Sequence, residues 1–224
     1  MDDLNCILAG LTRLLGPLVM LILWHKRSHA KLLPAPVALA VCLPVFMLGN
    51  AIRSGFDYSS PLFYCIQQGL LFGILEEGLK YLMLRFALSD YDTREDAVTY
   101  GIGHGAYEEI GMAVNCFALV GKGTADTAIF AMAVLSVIES ALSVSAKTLM
   151  ILYGIREGKA GRMLLLAIIL HAVGNMSMHI FVDFLSIIIV LILTSAEVFI
   201  AYRCWKAMRI PLKSDDRNET KHQL

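Results

Sequence analysis

Apolar residues in this chain run in blocks of about twenty and do not alternate along strands or line a single helical stripe. Seven such blocks, near Leu4–Trp24, Leu32–Ile52, Leu62–Leu88, Val98–Val120, Ala125–Tyr153, Met163–Val182 and Phe184–Trp205, predict seven membrane-spanning helices joined by short loops. The fold class expected is therefore all-α, a polytopic membrane bundle. The third block is unusual, because ILEEGLKYLML places Glu76, Glu77 and Lys80 inside a span that is otherwise apolar.

Composition agrees with a lipid environment. Of 224 residues, 57% are hydrophobic, more than the roughly half found in soluble domains. Net charge is zero and the basic residues are not pooled into one patch, so no nucleic-acid partner is expected. They are sorted by loop. Lys26, Arg27, Lys31, Arg85, Arg94, Arg156, Lys159, Arg162 and the basic residues from Arg203 to Lys221 fall on one side, against Arg53 and Lys122 on the other. By the positive-inside rule the first side is cytosolic. This gives an outward N-terminus and a cytosolic C-terminus.

The acidic start MDDLN and the absence of a small-x-small cleavage site favour a first helix over a signal peptide. Residues 1–208 read as one transmembrane domain, and the polar residues 209–224 as a disordered cytosolic tail. The five cysteines, Cys6, Cys42, Cys65, Cys116 and Cys204, have no metal-ligand spacing and read as small buried hydrophobes. GILEEG and GAYEEI are alike, but their helices run in opposite directions, so no repeat is inferred.

Ionisable residues recur at middle depth in four helices. The third has Glu76, Glu77 and Lys80, the fourth His104, Glu108 and Glu109, the fifth Glu139 and Lys147, and the sixth His171, Asn175 and His179. A charge near the bilayer centre costs at least about 2.5 kcal/mol, so a cluster of this size implies mutual pairing or water. Spacings of four, as in Glu76/Lys80, His104/Glu108 and His171/Asn175/His179, put each set on one helical stripe. Counted from the cytosolic edge, His104, Lys147 and His171 lie roughly 9–12 Å deep, with the glutamates deeper. The pairs Gly69/Gly73 and Gly101/Gly105 are expected to let the third and fourth helices approach. Arg13 is expected at the outer interface or on a helix partner, with Glu197 as one candidate. Glu109 is read as a structural partner, and His179 and Asp183 as interfacial.

A carboxylate pair, histidines and an amide in one buried layer suit three chemistries. A carboxylate or imidazole base could hold a water beside donors for an oxyanion, His and Glu could ligate zinc, or the groups could relay protons.

The motifs EEGLK (Glu76–Lys80), YGIGHGAYE (Tyr100–Glu108), the segment IESALSVSAKTLMILYG beginning one residue before Glu139, and HAVGN (His171–Asn175) resemble, in order and helix count, the YhfC-type intramembrane proteases. These are relatives of PrsW and of the CAAX-prenyl and bacteriocin-processing proteases. The resemblance implies intramembrane hydrolysis of peptide bonds in membrane-embedded peptides or proteins by a glutamic mechanism. Glu76 or Glu77 with His104 would activate water, with Glu108 facing the cluster. His171 and Asn175 would stabilise the oxyanion. Lys80 would balance the glutamates, and Tyr100, Glu139 and Lys147 would support the site. Ser140 and Lys147 stand where the family pattern has Arg and His, and Asn175 where it commonly has Asp. Because an ammonium is no metal ligand, Lys147 disfavours zinc, and no cofactor is expected. An inactive relative acting as a membrane scaffold, or a proton-coupled transporter, is the alternative. A bacterial cytoplasmic membrane is the location the family implies.

Overall fold

The computed structural model of the protein describes residues 2–56, 59–122, 128–180 and 183–208. The described residues form seven helices: α1 Asp2–Ser28, α2 Pro34–Arg53, α3 Pro61–Leu82, α4 Arg94–Ala118, α5 Ile129–Arg156, α6 Ala160–Ile180 and α7 Asp183–Ala207. α3 continues into a π-helical turn, Met83–Ala87, closed by Leu88 N donating to Met83 O at 2.7 Å. The seven expected helices are thus all present, within a few residues of their apolar blocks. His179 and Asp183 have no described side chains, and the tail from residue 209 lies outside the described residues.

Local chemistry explains the helix ends. Pro61 opens α3 behind Ser60, whose hydroxyl accepts from Phe63 N, because proline's missing N–H is no loss in a first turn. Thr93 caps α4 by accepting from Asp96 N at 3.1 Å, and Glu95 and Asp96 complement the positive end of that helix. α5 stops at Gly158, whose φ of +66° allows Lys159 N to reach back to Gly154 O at 2.8 Å. Pro17 and Pro44 lie inside α1 and α2 without ending them.

Among the described residues, five helices are long and apolar enough by composition to cross a membrane: α1, α2, α5, α6 and α7. The other two, α3 and α4, are of similar length but carry the acidic residues singled out above. The outer surface matches a lipid environment. Large apolar side chains such as Leu23, Phe86 and Phe199 are more than half exposed, which in water would form an aggregating patch.

Packing sets the neighbours. α3, α2, α4, α5 and α6 form a closed ring in which each touches the next, and α6 returns to α3; α1 packs outside against α4 and α5, and α7 outside against α5 and α6. The apolar core lies mainly between α5, α6 and α7, around Met150, Ile151, Leu152, Ala167 and Ala201. The helix ends alternate as antiparallel neighbours require. At one end, Trp24 Nε1 donates to Glu95 O, Arg94 Nη1 to Trp205 O and Arg156 Nη1 to Asp92 O. Arg94 also stacks over the Trp205 ring at 4.3 Å. This end gathers most of the basic residues of the loops. At the other end Gly121 N donates to Asp3 Oδ1.

One expectation is corrected. Gly69/Gly73 and Gly101/Gly105 do not bring α3 to α4. A Cβ on Gly69 or Gly73 would meet the backbone of α6 at Ala172 or Ile168, and one on Gly101 or Gly105 would meet Ser145 or Ser140 of α5. The glycines seat α3 on α6 and α4 on α5, leaving the two acidic helices on opposite walls of the ring. Gly103 does the same for α2, where a Cβ would overlap the backbone of Ala35.

Because that obstacle is backbone, Gly103→Val should lower unfolding stability in detergent by about 1–3 kcal/mol, the usual cost of overpacking. Gly111→Ala, where a Cβ meets nothing within 4 Å, should leave stability unchanged or slightly raised. Thermal or denaturant unfolding of the two variants checks both.

Candidate active site

Consecutive residues of an α-helix point about 100° apart, so Glu76 and Glu77 face different neighbours. Glu77 is fully buried and accepts from Lys80 Nζ, itself fully buried, at 2.6 Å. The same oxygen, Oε1, lies 2.7 Å from His171 Nδ1 on α6. Glu76, whose side chain is 19% exposed, points instead across the ring. Its Oε2 lies 3.0 Å from His104 Nε2 on α4 and 3.8 Å from His171 Nε2. Lys80 therefore pairs with Glu77 at i, i+3 and not primarily with Glu76 at i, i+4.

His104 is held at both ring nitrogens. Its Nδ1 lies 3.2 Å from Cys42 Sγ on α2, and the ring is 1% exposed. Tyr100, one turn earlier, is fully buried among Ala38 and Leu88 and supports the ring edge at a centroid distance of 6.4 Å. One turn later, Glu108 is half-buried, and its Oε2 accepts from Ser140 Oγ of α5 at 3.4 Å. Ligand atoms of Glu76, His104 and Glu108 all lie within 4.8 Å of one another. Among the described residues this is the metal-competent cluster.

The other singled-out residues are placed elsewhere. Glu109 faces away from Glu108 and forms a buried ion pair with Arg13 Nη1 at 2.6 Å, while its second oxygen accepts from Ser136 Oγ at 2.7 Å. Arg13 thus has a helix partner, and that partner is not Glu197. Glu197 on α7 takes Lys147 Nζ at 3.2 and 3.3 Å on its two oxygens, and Lys147 also donates to Ser143. Glu139 accepts from Thr194 of α7 at 2.8 Å. Lys147 and Glu139 therefore lace α5 to α7. Asn175, half-buried one turn beyond His171, has no hydrogen bond among the described residues. Counted from the helix ends Arg94, Arg156 and Ala160, His104, Lys147 and His171 lie ~14–17 Å inside, deeper than their apolar blocks imply because the helices extend past them.

This placement corrects the objection to a metal. It rested on Lys147 occupying a ligand position, but Lys147 is committed to Glu197 and contributes no atom to the Glu76–His104–Glu108 cluster. The donor set fits a divalent cation. Imidazole nitrogen and carboxylate oxygen are both ligand types that zinc accepts. Glu76, Glu77 and Glu108 also face one ammonium, Lys80, so ionised carboxylates here exceed fixed positive charge and need protons or a cation to balance them. The contact that sequence reasoning missed is that of Cys42, for which no spacing motif exists; packing alone brings its thiol to His104.

Comparison with known proteins gives the same direction. Residues 35–120, spanning α2 to α4, match a family described as YhfC intramembrane metalloprotease. A Bacillus subtilis (strain 168) protein described as "Uncharacterized membrane protein YhfC" is 31% identical over 116 residues, which cover 46% of this chain and 44% of that protein. The chain thus spans less than half the length of this curated relative. No solved structure matches. The resemblance to the YhfC family drawn from the motifs is borne out, and this is an integral membrane protein similar to that family.

The Lys80–Glu77 pair is a testable part of the site. Removing one partner of a buried pair costs about 3–5 kcal/mol, so Lys80→Met should destabilise the fold by that order, and Lys80→Met with Glu77→Gln should recover most of the loss. A double-mutant cycle of unfolding free energies measures this.

Proposed function

We propose that the protein is an intramembrane endopeptidase that cleaves peptide bonds of membrane-embedded substrates, with Glu76, His104 and Glu108 holding a divalent metal, zinc by donor type. The observation that carries this reading is the convergence of those three donors within 4.8 Å, a buried histidine between two partly exposed carboxylates. When bound, such an ion supplies Lewis-acid polarisation and an acidified water.

The chain's own residues supply the rest. Glu77, held by Lys80, accepts from His171 Nδ1–H and so leaves the His171 Nε2 lone pair facing the Glu76 side of the site. In that state His171 receives the proton released from water and returns it to the leaving amine. Asn175, one turn on from His171, offers a neutral amide donor to the oxyanion. This arrangement separates the two adjacent glutamates by role: Glu76 faces the reacting centre and Glu77 orients a histidine. The ring of α2 to α6 surrounds the layer, so a substrate helix has to unwind locally to present its scissile bond. Water enters from the basic end, which the charge sorting places in the cytosol, with the N-terminus outside.

A metal-free glutamic mechanism is the second reading. Glu76 and His104 already form a pair at 3.0 Å, and a paired carboxylate and imidazole are groups that can act as general base on a water.

Two measurements separate these readings from each other and from an inactive scaffold or a transporter. Metal analysis of the purified protein should find about one zinc per chain, lost in His104→Ala and Glu108→Gln. Mass spectrometry of membrane-protein N-termini should find new termini within transmembrane segments with the wild type. Glu76→Gln, which removes a metal ligand in the first reading and the base in the second, should reduce them at least ~100-fold. Cleavage that survives chelation, from protein without zinc, would select the glutamic reading. Identical termini with all proteins folded would select the noncatalytic classes.

A further inference from the structure

The side of His104 that faces away from Glu76 is not needed by the reaction as proposed, yet it is equally well constrained. On α2 the buried residues Pro34, Ala35, Ala38, Cys42 and Gly49 form a small-residue face. Ala35, Ala38 and Cys42 follow one another at i, i+3 and i+7, the spacing of a single helical stripe. That stripe lets α2 approach α4 closely, as the contact of Gly103 with the Ala35 backbone shows. Alanine would serve as well as cysteine for packing alone. Cysteine adds one polar atom to the stripe, and that atom lies 3.2 Å from His104 Nδ1.

We infer that Cys42 is a positioning residue for His104: its thiol fixes the orientation of the imidazole and follows its tautomer, so that Nε2 is presented to the Glu76 side. This deepens the proposed function and rests on that reading only for its metal-binding consequence.

The hydrogen-bond inventory dictates how. A carboxylate at Glu76 accepts only, so with no metal the 3.0 Å contact requires Nε2–H to donate. Nδ1 then carries the lone pair, and Cys42 S–H donates to it. When Nε2 serves as a metal ligand it is the lone pair, the proton sits on Nδ1, and Cys42 sulfur accepts. A thiol is both a weak donor and a weak acceptor, so it can partner both tautomers. A methyl or isopropyl group at this position partners neither. Ligating histidines commonly have their second nitrogen held in this way, and loss of such a partner typically costs 10- to 100-fold in metal affinity. Cys42 is 3% exposed, meets the imidazole at Nδ1 where Glu76 meets it at Nε2, and contributes no atom to the three-donor cluster, so it is a support and not a fourth ligand.

The test uses the full-length protein in detergent micelles with 15N-labelled histidine, the His104 resonances being assigned by their absence in His104→Gln. Cys42→Ala, Cys42→Val, which fills the space, and Cys42→Ser, which keeps a donor and acceptor, are compared with the wild type for ring-nitrogen shifts and for zinc affinity by competition with a chelating dye. Both Ala and Val are expected to move the Nδ1 resonance toward that of a nitrogen without a hydrogen bond and to weaken zinc binding about 10-fold or more. Ser is expected to stay close to the wild type in both. Unchanged His104 resonances in folded Cys42→Ala or Cys42→Val would overturn the assignment and leave Cys42 as packing. If the wild type binds no zinc, the metal reading fails while the resonance shifts still decide the role of Cys42.

Discussion

A charge inside a bilayer has to find its counterpart, and this requirement organises the molecule. Each of the mid-span residues Arg13, Glu76, Glu77, Lys80, His104, Glu108, Glu109, Glu139, Lys147, His171 and Glu197 has a hydrogen-bonding partner, and most of these bonds join two helices. Arg13 ties α1 to α4 through Glu109, Lys147 ties α5 to α7 through Glu197, and Glu77 ties α3 to α6 through His171. In lipid, apolar surface gives helices little preference for one another over the surrounding tails. The polar contacts therefore supply much of the specificity of neighbour choice.

Small residues act with them. Glycines admit the backbone of a particular neighbour at Gly69, Gly73, Gly101 and Gly103, and they do so for α6, α5 and α2 but not between α3 and α4. The result is a gap between the two acidic helices that side chains, not backbones, cross. Glu76 and His104 meet in that gap.

The charged residues divide into two kinds by what remains unbalanced. Arg13–Glu109 and Lys147–Glu197 are one-to-one pairs whose opposite charges cancel, and they read as structural. Around Glu76 the ledger is uneven, with three carboxylates against one ammonium and two imidazoles. A buried excess of one sign is costly, and it persists only where something else, a proton or a metal, completes it. The same segment, residues 35–120, is what matches the metalloprotease family, so Cys42, Glu76, His104 and Glu108 all lie inside the shared region.

The number of helices, their approximate ends and the presence of a mid-depth polar layer were legible in the chain because apolar block length and the cost of intramembrane charge are properties of single segments. The i, i+4 stripes also identified Glu76, His104, Glu108 and His171 as facing inward. Which residue pairs with which was not legible. Glu76 and Glu77 are identical in type and adjacent, Glu108 and Glu109 likewise, and only the packing of α6 and α1 assigns one of each pair to a structural partner. Lys147 looked like a lost ligand until α7 placed Glu197 against it, and Cys42 carried no signal until α2 set its thiol behind His104. Sequence alone determined the solvent of each segment and the depth of its polar groups, since these depend on local composition. Tertiary structure decided the pairings, and with them the site, because a hydrogen bond between helices depends on their rotation and separation, which no single segment encodes.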